Sequence, residues 1–271
     1  MKYVFVLFCL LLKFWGESFA QEQPGAEQIA LAHSDVSTVD DVFSLFNNPA
    51  GLALIKTREI GFYYSPAPFG VKELANAFAA YCEPTQYGSF SAGYSNYGFE
   101  LYKENKFAVG YGRKIANNFF IGLSSVYHNI SIKNYGSKGV FAFNLGVITK
   151  LSDQVGLGFA VHNVTRSTIT NESNDIPTVI WLGTDLKFVK DFVFSAALKK
   201  EIGFNPSIRL GTEYSMHDFL KLMIGTSNEP NTFSGGIGIM YQFIQVDYAF
   251  FSHPDLGLTH QFSVIIRFTN N

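Results

Sequence analysis

The sequence predicts an all-β chain closed into a transmembrane antiparallel β-barrel of about fourteen strands, with twelve as the lower count and a short N-terminal helical plug in or under the lumen. Three observations predict it. Aromatic residues make up 16% of the 271 positions, with 28 Phe and 14 Tyr, while charged residues make up only 15%, against about 25% in ordinary soluble domains. Segments of strand length alternate between large apolar residues and small or polar ones, the period-two signature of a half-buried strand. After Leu12 no apolar run is long enough for a membrane-spanning helix, which needs about 20 residues. The remaining way to place this much apolar surface in lipid is a closed barrel, which satisfies every backbone polar group internally.

Residues 1–20 read as a secretory signal peptide. Lys2 supplies the positive start, Tyr3 to Leu12 the apolar stretch, and Ser18-Phe19-Ala20 the small-residue cleavage site before Gln21. The mature chain then keeps one cysteine, Cys82, so an exported fold without an internal disulfide is expected. The net charge of −2 gives no footprint for nucleic acid.

Residues 21–55 break the period-two rule. Ile29, Leu31, Val36, Val39, Val42, Leu45 and Phe46 suit one or two short helices, and Ser37-Thr38-Val39-Asp40 resembles a capping box for the second. Pro49 cannot continue that helix and biases Asn48 toward extended geometry. In the stretch Asn47, Asn48, Pro49, Ala50, Gly51, the two amides can satisfy backbone groups that lack a sheet partner. Gly51 is expected to allow close approach to the wall. The segment fits a plug inside the barrel or a cap beneath it.

Residues 56–271 form the barrel. In "VFAFNLGVITKL" Phe141, Phe143, Leu145, Val147 and Leu151 share one face, opposite Ala142, Asn144, Gly146 and Lys150. "TVIWLGTDLKF", "QVGLGFAVHN" and "LTHQFSVIIRF" repeat the pattern. The small face carries Gly, Ala, Ser and Asn where a soluble sandwich would carry Lys, Glu and Thr. Turn-like clusters such as Glu83-Pro84, Asn117-Asn118, Lys190-Asp191 and His217-Asp218 separate the segments. Strands are expected over 57–65, 71–83, 86–96, 103–115, 118–132, 138–151, 154–163, 177–188, 191–201, 205–214, 218–226, 231–241, 242–252 and 258–269. No turn signal marks the boundary at 241–242.

Nothing in the sequence reads as catalytic, cofactor-binding or metal-binding. The six histidines lack ligand spacing, "GYSNYG" misses the nucleophile elbow, and "GGIGIM" lies inside a strand pattern. Ser124, Ser125 and His128 are the nearest local group to a Ser–His pair. Strand parity turns Lys150, Asp185, Lys187, Arg209, Glu213, Gln245, Asp247 and Arg267 inward. Buried charges need partners, so Arg209, Glu213, Asp247 and Arg267 are expected to form a latch on the plug; the plainer alternative is a solvated wall. Gly88, Gly93 and Gly98 in "QYGSFSAGYSNYG" would permit a kink, and with it a lateral opening.

"DDVFSLFNNPAGLA" resembles a stretch near the mature N-terminus of the FadL-type outer-membrane fatty-acid transporters and of the PorV/PorQ-type barrel subunits of type IX secretion. "YAFFSHPDLGLTHQFSVIIRF" and "YGFELYKENKFAVGYGRKI" resemble the PorV/PorQ side more closely. The resemblance implies a fourteen-stranded barrel with an N-terminal plug in the bacterial outer membrane. It implies a non-enzymatic subunit of a type IX-like secretion or surface-attachment system, partnered by a larger secretion-channel protein. The alternative it implies is a passive transporter of hydrophobic small molecules. Both families are usually longer, so shortened extracellular loops are expected. Outer-membrane lipid is a partner in either case.

Overall fold

The computed structural model describes residues 23–169 and 176–268. The expected signal peptide, residues 1–20, lies outside the described residues.

Fourteen strands follow one another: β1 Arg58–Ser65, β2 Asn76–Thr85, β3 Gly88–Phe99, β4 Tyr102–Ala116, β5 Phe119–Ile132, β6 Gly136–Lys150, β7 Val155–His162, β8 Val179–Val189, β9 Phe192–Glu201, β10 Ser207–His217, β11 Leu220–Asn228, β12 Asn231–Tyr241, β13 Ile244–His253 and β14 Gly257–Phe268. Each pairs antiparallel with its neighbours in sequence, and β1 pairs with β14 from Arg58↔Phe268 to Tyr64↔Phe262, which closes the barrel. Closure removes every sheet edge. No helix among the described residues is long and apolar enough to cross a membrane.

The two faces differ as alternation requires. Phe141 is 58% exposed on the outside, whereas its neighbour Ala142 is 1% exposed inside. Leu182 and Trp181 stand in the same relation, as do Phe262 and Gln261. Outward Phe, Leu and Ile suit lipid. This is a barrel of the bacterial outer-membrane type.

The ends of the barrel differ too. At the end that holds Arg58 and Phe268, strands are joined by tight turns at 86–87, 117–118, 151–154, 190–191, 218–219 and 242–243. The other end carries the longer connections, 66–75 and 163–178 among them. Short periplasmic turns and longer extracellular loops are the rule in such barrels, so the long-loop end corresponds to their external end.

Three sequence expectations need correction. The second strand begins at Asn76 rather than 71, because 66–75 is an external loop with tight 3₁₀ turns at Pro68–Gly70 and Lys72–Leu74. The featureless boundary at 241–242 is a two-residue hairpin, Gln242-Phe243, with Gln242 at φ 52. A glutamine there replaces the Gly or Asn that usually signals such a turn. The lateral opening expected at Gly88, Gly93 and Gly98 is not there. β3 pairs residue by residue with β2 from Asn76↔Tyr97 to Thr85↔Gly88, and with β4 from Ser89↔Gly112 to Phe99↔Tyr102, with no register shift. Gly88 and Gly98 instead serve positive φ of 131 and 102 near the two ends of β3. Gly93 faces inward, where a Cβ would stand 2.9 Å from Leu45 Cδ2.

Candidate functional site

The interior is occupied by residues 23–55, which run along the inward faces of the wall. A five-residue helix, α1 (Ala26–Ala30), opens the segment against β11 to β14. Its Ala26 N–H donates to Ser263 Oγ at 2.7 Å, and Ser234 Oγ donates to Ala30 O at 2.9 Å. Ala32 and His33 follow with φ of 53 and 55, and the chain passes on along β11 and β10 to β9. Ser34 Oγ donates to Leu31 O at 2.7 Å and lies 2.7 Å from Ser195 Oγ on β9.

The second expected helix is a single 3₁₀ turn, Val42–Leu45. Its cap is Asp41, not the Ser37 box: Phe43 N–H donates to Asp41 Oδ1 at 2.8 Å, as an N-cap side chain should accept. Asp41 Oδ2 accepts from Gln28 Nε2 at 3.0 Å, which ties this turn to α1. Val42, Phe43 and Leu45 are fully buried. Burial is what pushes the Asp41 carboxyl well above its usual pKa, reinforced by the nearby charges of Glu27 and Glu59. Burial, again with Glu27 next in weight, raises Asp35 to about 7. His33 moves the other way: burial, then the Arg209 charge, holds its ring well below the ordinary value.

The Asn-Pro-Ala-Gly stretch is a second 3₁₀ turn, Pro49–Leu54, capped by Asn48. Ala50 N–H donates to Asn48 Oδ1 at 3.2 Å, and Asn48 Nδ2 donates to Val36 O at 2.8 Å. Asn47 Nδ2 donates to Pro24 O at 2.9 Å and Phe43 O at 3.0 Å. Asn47 O lies 2.7 Å from His162 Nε2 on β7, whose Nδ1 lies 2.6 Å from Gln23 Nε2. The two amides therefore bind mainly carbonyls of the segment itself rather than of the wall. Gly51 likewise gives close approach within the segment: a Cβ there would lie 2.3 Å from Val39 O. The wall supplies its own glycines for contact. A Cβ on Gly122 would lie 2.1 Å from Pro49 O, one on Gly146 2.0 Å from Asn48 Oδ1, and one on Gly158 2.4 Å from Val36 O. Those strand glycines were visible as small-face positions, but only the fold shows that they receive backbone.

Of the four inward charges expected to act together, the structure links Glu213, Asp247 and Arg267 through three intermediaries. Lys221 Nζ lies 3.4 Å from both Glu213 Oε1 and Glu27 Oε1 on α1. Gln245 Nε2 donates to Glu27 Oε2 at 2.9 Å and to Asp247 at 3.0 Å. Arg267 Nη1 donates to Gln245 Oε1 at 2.7 Å, and its Nε donates to Glu59 Oε1 at 2.9 Å. Arg209 stands apart: its Nη1 donates to Ala32 O at 2.9 Å, and the guanidinium lies 5.3 Å from the Trp181 ring centre. Glu27, Lys221 and Glu59 escaped the sequence reading because nothing local marks a charge as inward across a turn. Lys150, also expected inward, donates from Nζ to Ser37 O at 3.0 Å and lies 3.8 Å from Asp185 Oδ1. Lys187 is exposed, beside a register shift between Lys187 and Val189.

Apolar groups fill the rest. Phe46 meets Phe78 edge-on with ring centres 5.3 Å apart, and Tyr63 meets Phe78 at 5.6 Å. Phe251, Met223 and Ile265 join the same buried cluster.

The fold is FadL-like. The Pseudomonas putida toluene transporter TodX matches with a TM-score of 0.71 at 12% identity, over 93% of this chain and 100% of that one. The Ralstonia pickettii toluene transporter TbuX matches at 0.67 and 10% identity, over 90% and 98%. A Pseudomonas aeruginosa FadL homologue matches at 0.64 and 12% identity, over 92% and 99%. No protein-family model and no curated protein matches the chain. TodX and TbuX are described as toluene transporters, and the PorV/PorQ side of the resemblance draws no support from these neighbours. Identity this low carries the architecture and nothing finer.

Proposed function

We propose that this barrel passes hydrophobic small molecules across the bacterial outer membrane, passively and without chemistry. The observation that carries this reading is an aromatic cluster inside the barrel. A barrel that conducts water and ions has a polar interior throughout, whereas here the wall residues Tyr63, Phe78 and Phe251 turn inward with Phe46 of residues 23–55 in one buried apolar cluster, beside the charged network. The FadL-like architecture supports it, since the neighbours are described as carriers of toluene and related ring compounds. In this reading residues 23–55 are a plug, the Asn47 to Gly51 turn sets its path, and Glu27 with Lys221, Gln245, Glu213, Asp247 and Arg267 latch it to the wall. Passage requires the plug to shift, because its apolar side chains occupy the lumen.

The test uses cells whose lipopolysaccharide leaflet retards toluene. Expression of the barrel should speed entry of labelled toluene and leave glucose entry unchanged. Equal acceleration of both would make it a general water-filled pore. Acceleration of neither, with a stoichiometric large protein co-purifying from detergent, would restore the secretion-subunit reading.

A further inference from the structure

The external loop 66–75 is exposed only over residues 70–73, and Phe69 turns inward from it. Phe69 has φ 55, a left-handed conformation that a bulky side chain rarely adopts and that persists only where surrounding contacts over-determine it. The contacts are specific. Phe69 N–H donates to Thr259 Oγ1 at 3.0 Å, and the ring stands edge-on to Phe251 at 5.7 Å and to His253 at 6.1 Å. Thr259, Phe251 and His253 are 1%, 7% and 4% exposed and face the lumen from β13 and β14. The socket is continuous with the buried aromatic cluster around Tyr63 and Phe78.

We infer that this socket is the first binding site for the solute, and that Phe69 occupies it as a built-in stand-in when solute is absent. The inference rests on the transport reading above and names the solute class: an uncharged single ring. A phenylalanine side chain is a toluene joined to the backbone, so whatever fits Phe69 fits toluene. Edge-on ring contacts favour an aromatic over an aliphatic occupant of equal size, and in so buried a socket a carboxylate would lose its water with only the Thr259 hydroxyl and the His253 ring to receive it. Displacement has a driving force on both sides. The solute remakes the ring contacts, and the loop leaves a disfavoured backbone conformation. Pro66 and Pro68 restrict the arm that carries Phe69, while Lys72 and Glu73 are exposed and at home in water.

The experiment follows the His253 side-chain resonance in the full-length barrel, labelled at histidine and held in detergent, as toluene is added. Toluene entry into cells is measured in parallel. In wild type the His253 signal should move saturably. In Phe69→Ala the midpoint should fall about tenfold or more. An outward loop populated at roughly 0.1–10% lowers apparent affinity by that fraction, and removing the occupant removes the penalty. If Phe69→Ala fails to assemble, Phe69→Leu keeps the bulk without the ring and should shift the midpoint in the same direction. A His253 signal that ignores toluene in both proteins, or a midpoint unchanged by the substitution, overturns the socket even if toluene entry is intact. A responding His253 with no accelerated entry keeps the socket and overturns transport.

Discussion

The two halves of residues 23–55 differ in how much charge holds them. The later half, from Val42 to Ile55, meets β1 to β6 by shape: Leu45 and Leu52 are fully buried, and the Pro49 backbone fits against Gly122 and Gly146. The earlier half, around α1, also packs on wall glycines, Gly211, Gly225 and Gly236, but adds side-chain polarity toward β9 to β14: Glu27 with Lys221 and Gln245, Arg209 with Ala32 O, Ser195 with Ser34. Close packing is indifferent to pH and salt and fails only when volume changes. Ion pairs and buried carboxylates respond to both. On the transport reading proposed above, the segment would pivot on the packed half and release from the charged half.

The largest expected effect breaks both contacts together. Deleting residues 26–47 should raise single-channel conductance in a planar bilayer while heat-modifiable gel migration persists. An intact barrel with unchanged conductance would show that the segment does not control the lumen.

Next comes the packed half alone. Gly146→Val adds side-chain volume into space held by Asn48 and Ala50, and forcing volume into a packed site costs about 1–3 kcal/mol. Conductance should rise at every ionic strength. A salt-dependent rise would mean that the wall yields and the charged half takes the strain.

The charged half should yield less. Lys221→Met leaves Glu27 and Glu213 without their shared cation. The cost is about 1.5–3 kcal/mol for a hydrogen bond to a charged group, reduced because Lys221 keeps 30% side-chain exposure. Proteolysis within residues 23–35 should accelerate while residues 42–55 stay protected. Equal exposure of both halves would dissolve the distinction drawn between them.

The smallest effect concerns pH. Asp35 is raised from 3.8 to about 7 by burial and then by Glu27. The seated segment therefore favours the neutral acid, and the contribution present below pH 4 is lost as pH rises through about 7. His33, held low, opposes this: its contribution is lost as pH falls below 6.5. Wild type alone should respond weakly. Compared with Asp35→Asn, which stays neutral, wild type should be equally well seated near pH 4 and progressively looser toward pH 8 by protease protection. A gap that narrows with rising pH would reverse the assigned sign.

Much of the barrel is legible in the chain because a strand's faces follow from its own period. Phe141 outside and Ala142 inside need only alternation and a membrane, and tight turns such as Asn117-Asn118 mark themselves. What escaped lies where a local rule is overridden. Gln242 turns the chain without a turn residue because closure of the barrel holds Tyr241 opposite Ile244. Gly93 suggested a gap, but a missing Cβ looks the same in sequence whether it opens a wall or admits Leu45 and Phe46.

By itself, then, the sequence determined the class, the strand count to within two, the inward and outward faces, and a distinct N-terminal segment, since each rests on periodicity or composition within about ten neighbouring residues. Only the tertiary structure decided which wall glycines receive that segment, that Glu27 is the member of it shared by Lys221 and Gln245, and that Phe69 turns in toward Thr259. These are contacts between residues about 190 or more apart in the chain for Glu27 and Phe69, and no local pattern encodes a partner brought near by closing a ring of strands.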